Sequence, residues 1–506
     1  MIIRLRRHQT SGIPLLERTS TTSIPDDDYD IPDVQHNPPL SFFQFDSLKY
    51  ASTEWRNTQM NGHVTKSILH YGSNVQFAPH YHYTELELEP HRYIGDNEMD
   101  ELLDYLANNN KCGAFDDVIR YCEDAYIQYA VKETNHNEPQ TFHTQTYEFY
   151  HHYHQIPKWV DWEQLQRGID VFLAYLPAAG CALYYRSLIG GFSIPKITEV
   201  LIATRYLVPA SMRDNATNDD KRRTFERLMD TGGFLASCFA CPPNDFPAAA
   251  LRPGGKGWKA ALRVRVLHAK VRRTLLHSKS KSWDMENGTP INQEDMAATL
   301  LAFSVNVLMG IEFIAGRPLN EKDQRDYLAL WRYLGWLLGV DTPEDDVRSS
   351  NPKKGERLSP IDPCGPSKLD TGYEAMCKDP ILHSYATLES MILHLLHPTN
   401  KSRELVHHLL SFNGRVHFRS EMCRKLLGDP LSDILNISLC SAVSIKCMVY
   451  LFLIFLRSYT LLAMTFPRIR HKLILWHRAL QIRFLRVWEK NQNKQAVCPF
   501  AMLMTP

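Results

Sequence analysis

The sequence has no excess of charge of either sign. Its 506 residues include 57 Lys plus Arg and 56 Asp plus Glu, so the formal net charge is +1. This balance excludes the overall positive surface that nucleic-acid-binding proteins carry, and nucleic acid is not an expected partner. Hydrophobic residues make up 44% of the chain, a share too large for a disordered protein. The composition therefore indicates a globular protein with a large core.

The sequence also lacks a cysteine framework and an apolar leader. Its 11 cysteines are an odd number without regular spacing, which is typical of a reduced, intracellular protein. Cys238 and Cys241 form the one close pair, and without a second pair at zinc spacing they are interpreted as packed thiols. No apolar run follows Arg4, Arg6 and Arg7. A secretory signal peptide is therefore not predicted, although a transit peptide stays open.

Sustained alternation of polar and apolar residues, the pattern typical of strands, is also missing. From Asp96 onward, apolar residues instead recur at steps of three and four, which predicts helices. One predicted helix, Met296 to Ile311, has sixteen residues without a charge and follows a capped start at Asn292. It is short for a membrane span and apolar on every side, as central bundle helices are. The predicted fold class is therefore all-α, a large helical bundle.

Shifts in composition divide the chain into one large helical domain and its flanks. The N-terminal residues combine arginines, a Ser/Thr stretch and a run of aspartates among prolines, which cannot bury a core. The predicted boundaries are a disordered tail at 1–45, an irregular lead-in at 46–95, a helical domain at 96–490 and a tail at 491–506. Within the domain, a polar loop insertion is predicted at 341–373 and apolar and basic C-terminal helices at 434–490.

The segment 434–490 is the part of the chain that can touch lipid. Lys446 and Arg457 interrupt its apolar stretch, and its longest run without a charge is twelve residues, below the roughly eighteen that a span needs. Further on, basic residues alternate with leucine, phenylalanine and tryptophan, a composition typical of a helix on an anionic membrane surface. A solvated basic face explains the same pattern equally well. Peripheral membrane contact is therefore preferred over a span, with the solvated face kept as the alternative.

One predicted helix, Val264 to Leu276, carries a pattern that points to chemistry. At 100° per residue, His268 falls inside an apolar stripe, and Arg265 and Arg272 fall on its margin. A neutral imidazole can ligate haem iron, and guanidinium groups match the geometry of haem propionates. Taken alone, each feature has a commoner interpretation, namely a hydrogen-bonded core histidine and two solvated arginines.

A second group of polar residues lies upstream. Arg227 and Thr231 are four residues apart, so they are neighbours on one helix face. Such a pair can order dioxygen or a polar substrate group above a haem, with Asp230 or a nearby acid handling protons. An ordinary ion-paired turn at the surface is the alternative interpretation.

These residues stand in a series of motifs that resembles the catalytic domain of the rubber oxygenase (latex-clearing protein) family. The same domain occurs in the endoplasmic-reticulum-bound oxygenase of mycophenolic acid biosynthesis. The resemblance runs from about Asp96 through the C-terminal helices. The motifs that carry it are Trp159–Gly168, Ser187–Ser193, Arg227-x-x-x-Thr231, Arg265–Arg273 and Pro290–Phe303.

The resemblance implies a globin-reminiscent helical core that binds haem b, with His268 as the proximal ligand of the iron. It places Arg227 and Thr231 on the distal side. Characterised members use dioxygen as a co-substrate to cleave a carbon–carbon double bond of an isoprenoid chain, so an apolar small molecule or polyisoprenoid is the implied substrate. The implied location is intracellular, at the endoplasmic reticulum membrane.

One departure from the family pattern is visible on the distal side. Rubber-cleaving members have a lysine just before the distal threonine, where this chain has Asp230. The family mechanism also uses an acidic base, for which Glu199 lies in the right general region. Two alternatives to the cleaving oxygenase therefore stay open. One is a haem-dependent hydroxylase, and the other is an inactive, membrane-associated lipid-binding scaffold of the same fold.

Overall fold

The computed structural model describes twelve parts of the chain. These are Tyr83, 85–109, 117–133, 145–205, 207–208, 217–242, 245–277, 283–342, 361–366, 380–395, 398–412 and 414–494. Within these parts all regular structure is helical and no strand occurs, so the prediction of an all-α fold is confirmed. The predicted tail at 1–45 lies outside the described residues, as do most of the lead-in, the insertion and the C-terminal tail.

The labelled helices run in chain order from α1 to α17. A short helix, Glu85–Leu88, and a 3-10 turn, Glu89–Tyr93, precede them. Their bounds are α1 Asn97–Asn108, α2 Val118–Glu133, α3 Gln145–His154, α4 Trp162–Ala174, α5 Leu176–Gly191, α6 Pro195–Ala203, α7 Asn218–Phe239, α8 Lys256–His277, α9 Gln293–Phe303, α10 Val305–Ala315, α11 Glu321–Leu337, α12 Pro380–Leu395, α13 Asn400–Ser411, α14 Val416–Leu427, α15 Asp429–Ile434, α16 Val443–Thr465 and α17 Pro467–Lys494.

Helices α4 and α11 form a close contact in the core. A side chain cannot fit at Gly168 of α4, because its Cβ would lie 2.4 Å from the carbonyl oxygen of Asp326 and 2.8 Å from Leu330 Cβ. Beside this contact, Arg167 Nε donates to Asp326 Oδ2 at 2.8 Å. The small residue and the ion pair together let the two helix backbones approach closely.

The long charge-free segment lies in the core but is not one helix. Asn292 caps α9 as predicted, since its side chain accepts the Asp295 backbone N–H at 2.9 Å. The prediction of a continuous helix from Met296 to Ile311 was wrong, because α9 ends at Phe303 and α10 begins two residues later. Ser304 between them has φ −101° and ψ −99°, which is not helical. Most of the segment is buried, as predicted for a central position.

Helix α5 contains a π-helical stretch, Ala182–Leu188, that presents Arg186 to the interior. This side chain is fully buried. Its Nε donates to Asn306 Oδ1 of α10 at 2.6 Å, and its Nη1 donates to the carbonyl oxygen of Leu426 in α14 at 3.3 Å. The guanidinium group therefore joins three helices at one point.

The C-terminal helices pack on the outside of this core. Helix α16 contacts α10, α14 and α17, and α17 also contacts α4 and α7. Among the described residues, three ion pairs tie α17 to the core: Arg470 with Asp323 at 2.6 Å, Arg478 with Asp170 at 2.6 Å and Glu489 with Lys256 at 3.0 Å.

Two stretches are long and apolar enough to cross a membrane by length and composition alone. They are Gln293–Ala315, which is 78% buried, and Val443–Thr465, which is 22% buried. The helices Trp162–Ala174 and Leu176–Gly191 meet at 79°, and together they would make a third such stretch.

Candidate functional site

His268 lies in the middle of α8, enclosed by protein but not sealed. Burial, and then the charge of Arg272, lowers the pKa of His268 to about 4, so the ring is neutral at pH 7. Its Nδ1 atom is shielded from solvent and has no hydrogen-bond partner among the described residues. The residue as a whole is only partly buried. A neutral imidazole is the form that ligates metals.

The helical pattern predicted that Arg265 lies on the margin of the buried stripe, and this prediction was wrong. Only 1% of the residue is exposed. Its Nε and Nη2 donate to the two carboxylate oxygens of Asp96 at 2.5 and 2.7 Å, and Nη2 also donates to Glu98 at 2.8 Å. Its Nη1 contacts the Tyr153 hydroxyl group. These acids compensate the charge and allow the arginine to occupy the centre of the buried face.

Arg272 has the same kind of surroundings two turns later, and its predicted place on the margin was also wrong, because only 1% of it is exposed. Its Nε and Nη2 donate to the carboxylate oxygens of Asp100 at 2.7 and 2.9 Å, and Nη1 donates to the carbonyl oxygen of Ile291 at 2.8 Å. Both arginines therefore join α8, which carries His268, to the start of α1. Contact between these arginines and a cofactor stays a prediction.

The three residues predicted for the distal side lie together on α7. Arg227 Nη1 is 3.6 Å from Asp230 Oδ2, and Thr231 Oγ1 donates to the carbonyl oxygen of Arg227 at 3.3 Å. A fourth residue, which the sequence analysis missed, is Trp488 of α17, whose Nε1 donates to Asp230 Oδ1 at 3.3 Å. Gly233 makes room for this indole, since a Cβ there would lie 2.3 Å from the ring.

Arg227 and His268 lie at similar distances along their helices from the contact between α7 and α8. The two helices touch where Gly257 meets Cys238, because a Cβ on Gly257 would lie 2.6 Å from Cys238 Cα. Arg227 precedes Cys238 by eleven residues, and His268 follows Gly257 by eleven residues. Both therefore stand about 16 Å along their helices from the same contact. Cys238 and its neighbour Cys241 are buried free thiols, as predicted.

Glu199 of α6 is engaged elsewhere. Its two carboxylate oxygens accept from Lys401 Nζ of α13 at 2.7 and 2.9 Å, in a partly exposed position. Its role as a base stays a prediction.

Asp295, three residues after the cap at Asn292, has properties that the sequence analysis did not identify. It is 6% exposed, and its Oδ1 has no hydrogen-bond partner among the described residues. Burial, and then the charge of Glu294, raises the pKa of Asp295 to about 7. Lys196 of α6 lies near enough to oppose this rise, and burial lowers the pKa of Lys196 in turn. A carboxyl group with a pKa near neutrality can both accept and donate a proton.

In the described parts of the chain, no group of three His, Cys, Asp or Glu side chains is placed to hold a metal ion. The assignment of His268 as an iron ligand stays a prediction.

Comparison with known proteins identifies the relatives of this site. The family model described as "ER-bound oxygenase mpaB/B'/Rubber oxygenase, catalytic domain" matches residues 197–457, which include Arg227, Thr231 and His268. Among solved structures, that of Latex Clearing Protein LCP in the closed state aligns with 78% of this chain and 96% of its own, at 17% identity and a TM-score of 0.46. No curated protein sequence matches significantly. Since the family model covers just over half of the chain, the protein belongs to the mpaB and rubber oxygenase catalytic-domain family.

Proposed function

We propose that this protein is a haem b-dependent oxygenase in which His268 ligates the iron. The proposed reaction cleaves or oxidises a carbon–carbon double bond of an apolar isoprenoid or lipid with dioxygen. The family is one of oxygenases, which makes the protein an oxidoreductase. The observation that carries the haem assignment is the state of His268, a neutral and enclosed imidazole whose Nδ1 is buried and unbonded among the described residues.

His268 fits the role of iron ligand, but the two arginines of α8 have few free donors for haem propionates. Haem, when bound, supplies an iron that binds and activates dioxygen. His268 has the protonation state for ligation, but the forks of Arg265 and Arg272 are occupied by carboxylates. We assign these arginines to holding α8 in place, so that the imidazole keeps a fixed orientation.

On the distal side, we assign Arg227 and Thr231 to positioning dioxygen or a polar group of the substrate. Asp230 pairs with Arg227 and accepts a hydrogen bond from Trp488. It therefore limits the movement of the guanidinium group and ties α7 to the C-terminal helix. A carboxylate held in this way replaces the lysine of rubber-cleaving relatives, so this chain has no amine at that position.

We propose an apolar substrate because the resemblance to rubber-cleaving oxygenases implies one. The family description includes an ER-bound member, and we propose that this protein is intracellular and associated with the endoplasmic reticulum membrane. The membrane would then supply apolar substrates close to the protein.

Haem binding is tested on the purified full-length chain after addition of haemin. We expect a Soret band near ~400–420 nm from a histidine-ligated haem, and His268→Ala should abolish it. The matched control is His277→Ala, since His277 is exposed on the same helix and its Nδ1 contacts the carbonyl oxygen of Arg273. A chain that stays colourless with haemin overturns the haem proposal.

One observation favours the second candidate, a lipid-binding scaffold without oxygenase activity. Asp230 replaces the family lysine and is engaged by both Arg227 and Trp488. This candidate is supported if the colourless chain still binds a fluorescent fatty acid. If haem binds, products distinguish cleavage from hydroxylation, because cleavage leaves two carbonyl ends and hydroxylation leaves one intact chain.

A further inference from the structure

The outward side of α16 carries large apolar side chains along its whole length. The helix has 23 residues and is about 34 Å long. Its inward side is marked by the buried residues Val449, Leu456, Thr460 and Ala463. The large apolar side chains that it exposes are Val443, Met448, Tyr450, Leu451, Ile454, Phe455 and Leu462.

The two charges of α16 lie at the margin of this outward side. With Val449 at zero, Lys446 falls at about 60° and Arg457 at about 80°, beside the inward face. Arg457 lies against Gly316, where an added Cβ would be 2.4 Å from Arg457 Nη2. Gly316 ends α10, and the carbonyl groups of a helix C-terminus attract a cation. The side opposite Val449 is therefore free of charge on α16, although the sequence has two cations in this stretch.

The exposed side of α17 is divided into an apolar half and a basic half. With the buried Ile474 at zero, the apolar half lies between about −120° and −160° and the basic half between about 120° and 180°. The apolar half consists of Ile469, Trp476, Leu480 and Val487. The basic half carries five exposed cations, which we call the basic row: Arg468, Lys472, Arg483, Arg486 and Lys490.

The apolar half of α17 is the half that adjoins α16. Tyr459 OH of α16 and His477 Nε2 of α17 are 3.1 Å apart, at about −80° and −60° on their respective helices. Phe455 and Leu462 continue outward on the same side of α16, at about −120° and −140°. The two apolar surfaces are therefore continuous, and the basic row follows their far margin.

The basic row differs from the other cations of α17 in its partners. Arg470 and Arg478 face the domain and are paired with Asp323 and Asp170. Among the described residues, no carboxylate lies within ion-pair distance of any member of the basic row. The row therefore offers its positive charge to a partner outside the domain.

We propose that the continuous apolar surface of α16 and α17 docks into one face of a bilayer that contains anionic phospholipid. Apolar side chains then lie among the acyl chains, and the basic row contacts the headgroups. Trp476 and Tyr450 are the residue types that favour the boundary between these layers. Helix α16 lies along the membrane instead of crossing it, because its inward side packs on α10 and α14. The docking surface is independent of haem binding.

Vesicle flotation of the full-length protein tests this surface. We expect flotation with phosphatidylcholine vesicles that contain phosphatidylserine, and weaker flotation at high salt or without phosphatidylserine. Replacing Lys472, Arg483 and Arg486 together with glutamine should reduce the partition coefficient roughly a hundredfold, at about fivefold per basic residue. The matched control removes three exposed cations from other surfaces, Arg120, Lys158 and Arg415. An equal loss in the control variant overturns the proposal.

The apolar part of the surface is tested separately with Leu451→Ser and Ile454→Ser. Both side chains are exposed, so the thermal unfolding curve should not change while vesicle binding falls. Protein bound to vesicles should be released by alkaline carbonate, and retention would instead indicate a span. If the protein forms a dimer that Ile454→Ser dissociates and it does not float with vesicles, the surface binds a second copy and the membrane proposal is wrong.

Discussion

At the residue scale, we consider two acids for the proposed role of proton acceptor. Glu199 was selected by its position in the family pattern, but Lys401 holds both of its oxygens. Asp295 was not selected, yet one of its oxygens is unbonded among the described residues and its pKa is raised to about 7. A base is active when deprotonated, so each acid makes a different prediction for the dependence of activity on pH.

If Asp295 is the base, dioxygen uptake with a polyisoprenoid substrate should rise with pH through about 7. Asp295→Asn should remove this rise and lower the rate by a factor of about 10²–10⁴, the usual contribution of a general base. Glu199→Gln should leave the rise in place. A rise near pH 7 that persists in Asp295→Asn and disappears in Glu199→Gln would reverse the assignment.

Residue partners were the least predictable part of the site. The helical period placed Arg265, His268 and Arg272 on one side of a helix, but it gives an angle and no partner. Asp96 precedes Arg265 by 169 residues, and Trp488 follows Asp230 by 258. Contacts over such separations depend on the packing of whole helices, which the local pattern does not contain. For the same reason, the burial of Arg265 was not predicted, since an arginine without a known partner is expected at the surface.

At the element scale, the attachment of α8 to α1 distinguishes two roles for Arg265. Arg265→Met should cost about 3–5 kcal/mol in the free energy of unfolding, because it leaves the buried Asp96 uncompensated. The double-mutant cycle of Arg265→Met with Asp96→Asn, measured by urea unfolding, gives the coupling between the two side chains.

The coupling energy is then measured again with haemin present and compared with the value without haemin. If Arg265 only anchors α8, the coupling should be unchanged by haem. If Arg265 instead binds a propionate, haem should weaken its coupling to Asp96. A coupling near zero without haem would show that the pair does not hold the helices together.

Helix positions were more predictable than helix continuity. Asp161 caps α4 and Asn292 caps α9 because short polar side chains there accept backbone N–H groups locally, and such signals are contained in a few residues. The break at Ser304 lies in a segment that is apolar on both sides, so the periodicity carries no mark of it. The direction of Lys446 and Arg457 likewise follows from packing against α10.

At the scale of the whole molecule, a buried acid makes stability depend on pH. Glu312 of α10 is fully buried, accepts the Leu319 N–H at 2.9 Å and accepts from the Tyr385 hydroxyl group at 3.2 Å. Burial raises its pKa to about 8. The folded chain therefore keeps a proton that the unfolded chain loses above pH 4.5. This stabilisation is complete below pH 4.5 and is lost as the pH rises towards 8.

We therefore expect the free energy of unfolding to fall between pH 5 and pH 8, relative to Glu312→Gln, by up to about 1.4 kcal/mol per pH unit. Glutamine resembles the protonated acid in shape and charge, so this variant should be the more stable protein at pH 8. Urea unfolding of both proteins across this range measures the difference. Parallel curves would mean that Glu312 does not hold the proton.

Trp488 joins the C-terminal helix to the polar group on α7. It bonds Asp230 beside Arg227, and it belongs to the same helix as Arg486 and Lys490 of the basic row. One rigid body therefore touches both the inner polar group and the outer surface. Thermodynamic reciprocity requires that if lipid contact shifts this helix and changes the affinity for a ligand beside Arg227, the ligand changes the affinity for lipid by the same factor. Ligand binding and membrane binding would then both report the position of a single conformational equilibrium.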